Sequence, residues 1–221
     1  MPIASGATPL ISNMHPFKLS AGFYILFTAL TLIPATWLAQ VLQSALNNSS
    51  VTLLHLLAQS RVIEAPSTVV IIGVLFWIYE RYLWRIPFIN ALHGVPYIAG
   101  RYDGHVESSY DGKKYPIVME VHQTLTSVTV CLYTERSPSY SMIANIGKNG
   151  NTNNFLAYVY KNTPRTVRDD LDMRAHDGFA CLEIFDAEQK LEGYYHNDPR
   201  ERPTHGKLTC VRVSRTTKGH F

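Results

Sequence analysis

STVVIIGVLFWIYERYLWR, residues 67–85, is the stretch on which the reading of this 221-residue chain turns. It is an apolar run that ends in Tyr, Trp, Glu and Arg. The chain before it is apolar and nearly uncharged, with no Asp, Glu, Lys or Arg between Lys18 and Arg61. The chain after it is mixed: from Tyr97 onward, 16 Lys and Arg stand against 15 Asp and Glu. The mean hydropathy of −0.04 therefore averages two unlike halves. A net charge of +3 is weak ground for a polyanionic partner. If residues 67–85 form a second membrane helix, the chain is a membrane hairpin carrying a soluble domain. If they form a core helix, it is something else.

The first reading is the better supported. Residues 20–46 exceed the roughly 20 apolar residues needed to cross a bilayer. Pro34 lies near the middle and would kink a helix there. Ala35 and Ala39 form a small-xxx-small pair that would permit close helix packing, with ordinary alanine content the plainer reading. The run is too long for a signal peptide, and a second apolar run comes after it, so a retained anchor is expected. Residues 47–50, NNSS, break the run, and residues 51–59 could lie along the interface as a short amphipathic helix. The uncharged stretch 65–79 spans about 22 Å at 1.5 Å per residue, and reaches about 30 Å if continued to Trp84. Trp77, Tyr79, Tyr82 and Trp84 would make its aromatic belt. Lys18 flanks the first helix, and Arg81 and Arg85 the second. The positive-inside rule then places both termini in the cytoplasm. Three widely spaced cysteines, Cys131, Cys181 and Cys210, suit a reducing compartment and reduced core thiols.

After residues 86–99, interrupted by Pro87, Gly94 and Pro96, the period changes from helical to alternating. Strands are predicted over 101–108, 115–123, 126–135, 140–146, 155–160, 178–185, 191–196 and 207–215. Turns are predicted at Tyr110-Asp111-Gly112, at Ser137-Pro138-Ser139 and over 147–154. The charged residues 165–174 read as a loop or an edge. Eight short consecutive strands suggest an antiparallel meander closed into a small, lipocalin-like barrel. The predicted organisation is a tail over 1–18, a two-helix transmembrane hairpin over 19–85, a linker over 86–99 and a barrel over 100–221.

Enzyme signatures are absent: the sequence holds no GxSxG, Walker loop, GxGxxG or HExxH. The histidines lack metal-ligand spacing, so neither a catalytic residue nor a metal site is predicted. Binding has better material. The second half is rich in Tyr, which has an apolar face for stacking and a hydroxyl for hydrogen bonds. Late in the chain Gly193-Tyr194-Tyr195-His196-Asn197-Asp198-Pro199-Arg200-Glu201-Arg202-Pro203-Thr204 reads as a strand and a loop with two arginines. Guanidinium forks match phosphate oxygens, and bases stack on aromatic rings. A nucleotide would suit such a mouth. A basic loop pairing with its own Asp198 and Glu201 is the plainer alternative.

The order of short motifs resembles a known family. Two N-terminal membrane helices run into Trp84-Arg85-Ile86-Pro87-Phe88-Ile89-Asn90. Gly100-Arg101-Tyr102-Asp103-Gly104 comes next, and Gly193-Tyr194-Tyr195 with Arg200, Thr204 and Gly206 completes the set. This is similar to the SMODS-associating two-transmembrane, β-strand-rich effectors of CBASS antiphage systems. The resemblance implies a cytoplasmic eight-stranded barrel anchored in the bacterial inner membrane. It implies a cyclic dinucleotide ligand made by a cGAS-like nucleotidyltransferase, with no cofactor and no DNA or RNA partner. Ligand binding would drive homo-oligomerisation of the helices in the lipid bilayer, membrane disruption and death of the infected cell. Alternation predicts that Tyr102, Tyr195 and Asn197 point inward. Tyr102 and Tyr195 are the candidates for stacking, Arg200 for a phosphate, Asn197 and Thr204 for base or ribose edges, and Arg202 as a further phosphate contact. A membrane-tethered, lipocalin-like carrier of a lipid or small hydrophobic ligand is the alternative, and a hydrolase with an unrecognised His/Asp pair is a third reading.

Overall fold

The computed structural model describes residues 21–48, 64–90, 93–149, 153–163, 175–198 and 203–221. Its contacts divide the chain into a helical unit ending at Gly94 and a barrel unit beginning at Val95. The expected interfacial helix at 51–59 and the charged stretch at 165–174 lie outside the described residues.

In the helical unit, α1 (Ala21–Asn47) packs against α2 (Glu64–Arg81). Ala35 and Ala39 are buried. Phe27 sets its ring edge-on against Phe76 and Tyr79, at 5.6 and 5.1 Å between centroids. A 3₁₀ turn (Leu83–Arg85) and a single-turn helix, α3 (Pro87–Asn90), complete the unit's described elements. Pro87 begins α3 rather than only ending the turn before it, because a first-turn residue needs no backbone N–H donor. Among the described residues no helix is long and apolar enough to cross a membrane. The helix α1 lies within one residue of the first expected helix, 20–46, and α2 overlaps the second, 67–85.

The barrel unit holds eight strands: β1 (Gly100–Ser108), β2 (Lys114–Gln123), β3 (Val128–Tyr133), β4 (Pro138–Asn149), β5 (Asn153–Asn162), β6 (His176–Phe185), β7 (Lys190–Asn197) and β8 (His205–Ser214). Each pairs antiparallel with the next, and β8 pairs with β1, so the sheet closes as the alternating pattern predicts. Two turn predictions shift. The third connection sits earlier than expected, because the Ser137 N–H donates to Thr134 Oγ1 and the Thr134 N–H to the Ser137 carbonyl, freeing Pro138 to start β4. Gly147–Asn149 and Asn153–Asn154, expected as turn, carry the β4–β5 ladder further.

One face of every strand fills the barrel. Tyr102, Met119, Val121, Val128, Ile146, Leu156, Leu182 and Leu191 are all buried within one cluster. Eight strands give an interior just wide enough for side chains, and these fill it. Of the three thiols only Cys210 joins this core. Cys131 and Cys181 are half-buried on the outer face, opposite Glu120 and Tyr194, so the core assignment holds for one cysteine of three.

A polar anchor ties the chain's end to the barrel wall. The fully buried Glu120 accepts from Arg101 Nη1 at 2.9 Å and from the N–H groups of Lys218 and Gly219 at 2.6 and 3.0 Å. Arg101 also donates to the His220 carbonyl at 2.7 Å. Burial pushes the Glu120 carboxyl up; the two backbone donors and the guanidinium more than reverse this and leave it below its ordinary value. A carboxyl so depressed contributes stability above about pH 4.5 that is lost as pH falls through its folded value. Glu120→Gln is expected to cost about 3 kcal/mol by leaving Arg101 without its buried counter-charge, with only the exposed Asp103 at 3.9 Å remaining. Thermal unfolding across pH 3–7 checks this, with a shallower acid limb in the variant than in the wild type.

Candidate ligand-binding site

The two ends of the barrel differ in chemistry. At the end where the chain enters, residues 95–99 cross the opening and are held there by side chains. Gln123 accepts from the Ile98 N–H and donates to the Pro96 carbonyl, both at 2.9 Å. Glu188 accepts from the Tyr97 N–H at 2.8 Å, and Arg212 Nη2 donates to the Tyr97 carbonyl at 2.8 Å. Tyr102 donates its hydroxyl hydrogen to the Ile98 carbonyl at 2.7 Å. The same hydroxyl accepts from Arg212 Nε and Nη2 at 3.0 and 2.8 Å, and the guanidinium lies 5.3 Å from the Tyr102 ring centre. Burial pushes the Tyr102 hydroxyl up to about 12, against the opposing pull of Arg212. Burial likewise raises the Glu188 carboxyl above its ordinary value. Glu188 is aimed by a turn in which Asp186, Ala187 and Glu188 all take positive φ, 52°, 50° and 73°. Each such residue costs on the order of 1 kcal/mol, which the contacts to the linker offset. This end is plugged.

The opposite end carries the strand termini of β5 and β7 and the starts of β6 and β8. Here the inward face turns polar. Tyr160 and Asn162 end β5, and Tyr195 and Asn197 end β7, with Gly178 of β6 in register between Tyr160 and Asn197. Tyr160 donates to Asn197 Oδ1 at 2.7 Å, and Asn197 Nδ2 donates to Thr204 Oγ1 at 2.5 Å. Asn162 Nδ2 donates to Ser137 Oγ at 2.8 Å and Ser139 Oγ at 2.9 Å. Burial raises the Tyr160 hydroxyl well out of its usual range. Burial raises that of Tyr195 as well, while a hydrogen bond with Ser108 opposes it. Two glycines make room for the rings. A Cβ at Gly178 would collide with the Tyr160 ring, and one at Gly206 would come within 2.7 Å of Tyr195 Cε1. On the outer side of the same rim a depression of about 550 Å³ is lined by Val159, Phe179, His196 and His205, and reaches the mouth through Asn197 and Thr204. Phe179 and His196 stack there at 5.9 Å.

Of the residues singled out in the sequence, Tyr195, Asn197 and Thr204 come together at this mouth. Tyr102 and Tyr195 both point inward, as alternation predicts, but Tyr102 lies at the plugged end. It is fully buried and about six residues along β1 from the mouth, roughly 20 Å at 3.3 Å per residue. Alternation reports the face of a strand, and says nothing of depth along it. Arg200 and Arg202 lie outside the described residues. Tyr160, Asn162 and Ser139 are not among the residues the sequence points to. The signal that could have found two of them is a repeat: Tyr160-Lys161-Asn162 and Tyr195-His196-Asn197 are the same Tyr-x-Asn at two strand ends. Among the described residues no cluster of three or more His, Cys, Asp or Glu could hold a metal ion.

The family described as Cap15, cyclic dinucleotide receptor domain, matches residues 93–212, which hold β1 to β7 and most of β8. The chain belongs to the Cap15 family. It is also 33% identical over 144 residues to CD-NTase-associated protein 15 of Yersinia aleksiciae, an alignment covering 64% of this chain and 66% of that protein. The chain thus spans just under two thirds of that relative's length. The matched region contains both barrel ends, so the plug at Pro96, Tyr97 and Ile98 and the mouth at Tyr195 and Asn197 both fall inside the Cap15 domain.

Tyr102→Phe is expected to lower barrel stability by about 1–3 kcal/mol, because Arg212 loses a buried acceptor. It should leave affinity for any mouth ligand unchanged. Chemical denaturation alongside calorimetric titration checks both statements.

Proposed function

We propose that the barrel binds a cyclic dinucleotide at the mouth formed by Tyr195, Asn197 and Thr204, and that the chain is an antiphage effector of the CBASS type. The family match to a cyclic dinucleotide receptor domain, over the residues that carry this mouth, is the observation behind the reading. The residue chemistry supports it. Tyr195 offers a ring for stacking, and amide and hydroxyl groups stand beside it. Arg200 and Arg202 belong to the connection between β7 and β8, whose two ends reach this rim, and would meet the phosphates. The protein performs no chemistry of its own in this scheme. Its ligand is the product of a cGAS-like nucleotidyltransferase.

The helical unit is proposed to sit in the bacterial inner membrane as a two-pass anchor, with both termini and the barrel in the cytoplasm. Its surface supports this. Ile25, Leu30, Ile33, Trp37, Val69 and Val70 are strongly exposed, Ile33 by 76% and Ile25 by 70%. Apolar exposure on this scale marks a surface that something else covers. Two hydroxyls of α1 bond its own backbone: Thr31 Oγ1 donates to the Phe27 carbonyl at 2.8 Å and Thr36 Oγ1 to the Leu32 carbonyl at 2.9 Å. Such pairing suits a helix without water around it. Ligand-driven homo-oligomerisation of these helices would disrupt the membrane and kill the infected cell. A ligand can drive this only by binding the assembled state more tightly than the dispersed one.

Titration of the full-length chain in a mild detergent against a panel of cyclic dinucleotides tests the binding step. At least one should bind, and Tyr195→Leu should weaken it by roughly 1–3 kcal/mol, the range for one stacked base. Heat from none of them would overturn the reading. Dye-loaded vesicles carrying the full-length chain test the second step, with release expected on adding the bound dinucleotide and none without it.

A further inference from the structure

Asn162 stands out at the mouth because half of its side chain is used and half is not. Its residue is 6% exposed. Both hydrogens of Nδ2 are engaged, one by Ser137 Oγ and one by Ser139 Oγ. Oδ1 is buried and has no hydrogen-bond partner among the described residues. A buried carbonyl with neither lone pair satisfied is rare, and it is costly because burial removes the water that would otherwise donate to it. The two serine bonds hold the side chain at the strand end.

Its place in the fold gives the cost a use. Asn162 is the last residue of β5, on the inward face shared with Tyr160 and Tyr158. Across β6 the same arrangement recurs at the end of β7, where Asn197 stands two residues after Tyr195. The two asparagines differ in state. Asn197 has its carbonyl oxygen taken up by Tyr160 and its amide by Thr204. Asn162 keeps its carbonyl open. Tyr160, laid over Gly178, is the positioning residue between them: its hydroxyl fixes Asn197 while its own strand carries Asn162.

We propose that Asn162 Oδ1 is a base-reading acceptor of the mouth, taking an N–H donor from the edge of a nucleobase. The inference rests on the cyclic dinucleotide reading above and deepens it. With both amide hydrogens committed to the serines, Asn162 accepts and does not donate. The group it takes is therefore an exocyclic amine or a ring imino N–H, and not a carbonyl or an unprotonated ring nitrogen.

The test is calorimetric titration of the full-length chain in detergent with cyclic di-AMP, cyclic di-GMP, cyclic di-UMP and the mixed cyclic dinucleotides. Wild type, Asn162→Leu and Asn162→Asp are compared. Leucine removes the acceptor, so affinity for the preferred dinucleotide should fall about tenfold or more, and the preference over the next-best ligand should collapse. Aspartate keeps an oxygen at the same place, and the serine hydroxyls can turn to donate to it. It should stay within about threefold of wild type. An unchanged Kd and an unchanged preference in Asn162→Leu would overturn the inference while leaving the receptor reading intact. Equal losses across every dinucleotide would overturn it too, because a purely structural asparagine would act without regard to base. If Asn162→Leu does not fold, Asn162→Asp decides alone: tenfold weaker binding contradicts the proposal. Should the wild type bind none of the panel, it is the receptor reading that fails, and this inference with it.

Discussion

The pairing of β1 with β8 is the constraint on which the rest depends. Once the eighth strand returns to the first, no sheet edge remains open, and the interior is only as wide as the side chains that fill it. Tyr102, Tyr158, Leu156, Leu182 and Met119 occupy that interior. A ligand can then meet the barrel only at an end or on the outer wall. Side chains of Gln123, Tyr102, Glu188 and Arg212 hold residues 95–99 across one end by their backbone groups. The proposed ligand site is therefore the other end, where the inward face changes from apolar to amide and hydroxyl. The same packing weighs against an acyl-chain carrier, since the chain would need the space these residues fill.

Much of the barrel is legible in the sequence because its period is two. Ile117, Met119 and Val121 alternate with exposed or outward residues, and so do Val128, Val130 and Leu132, and each such run is a strand within a few residues of its predicted bounds. Turn positions are less legible where side chains decide them. Nothing in Ser137-Pro138-Ser139 reveals that Thr134 will cap the turn before it. The misplacement of Tyr102 is one of depth. Its inward direction comes from alternation, yet its depth comes from closure, and closure is set by pairing across more than 100 residues with Arg212. Asn162 escapes a sequence reading for a related reason. An asparagine at a strand end reads as a turn former, and only the bonds from its amide to two serines reveal a carbonyl left without a donor.

The helical unit gives a different lesson. Its small pair, Ala35 and Ala39, is buried. Thr31 and Thr36 bond their own backbone, so they carry hydroxyls without presenting them to the surroundings. The exposed Ile, Val, Leu and Trp side chains are what a lipid or a second copy of the chain would cover.

The central claim is that the plugged end is structural and the opposite mouth receives the ligand. Hydrogen exchange of the full-length chain, with and without a bound cyclic dinucleotide, tests it most directly. Added protection should fall on residues 160–163 and 195–205, at the ends of β5 and β7, with residues 95–102 and 186–190 unchanged. Protection concentrated at 95–102 and 186–190, with the mouth unaffected, would contradict it.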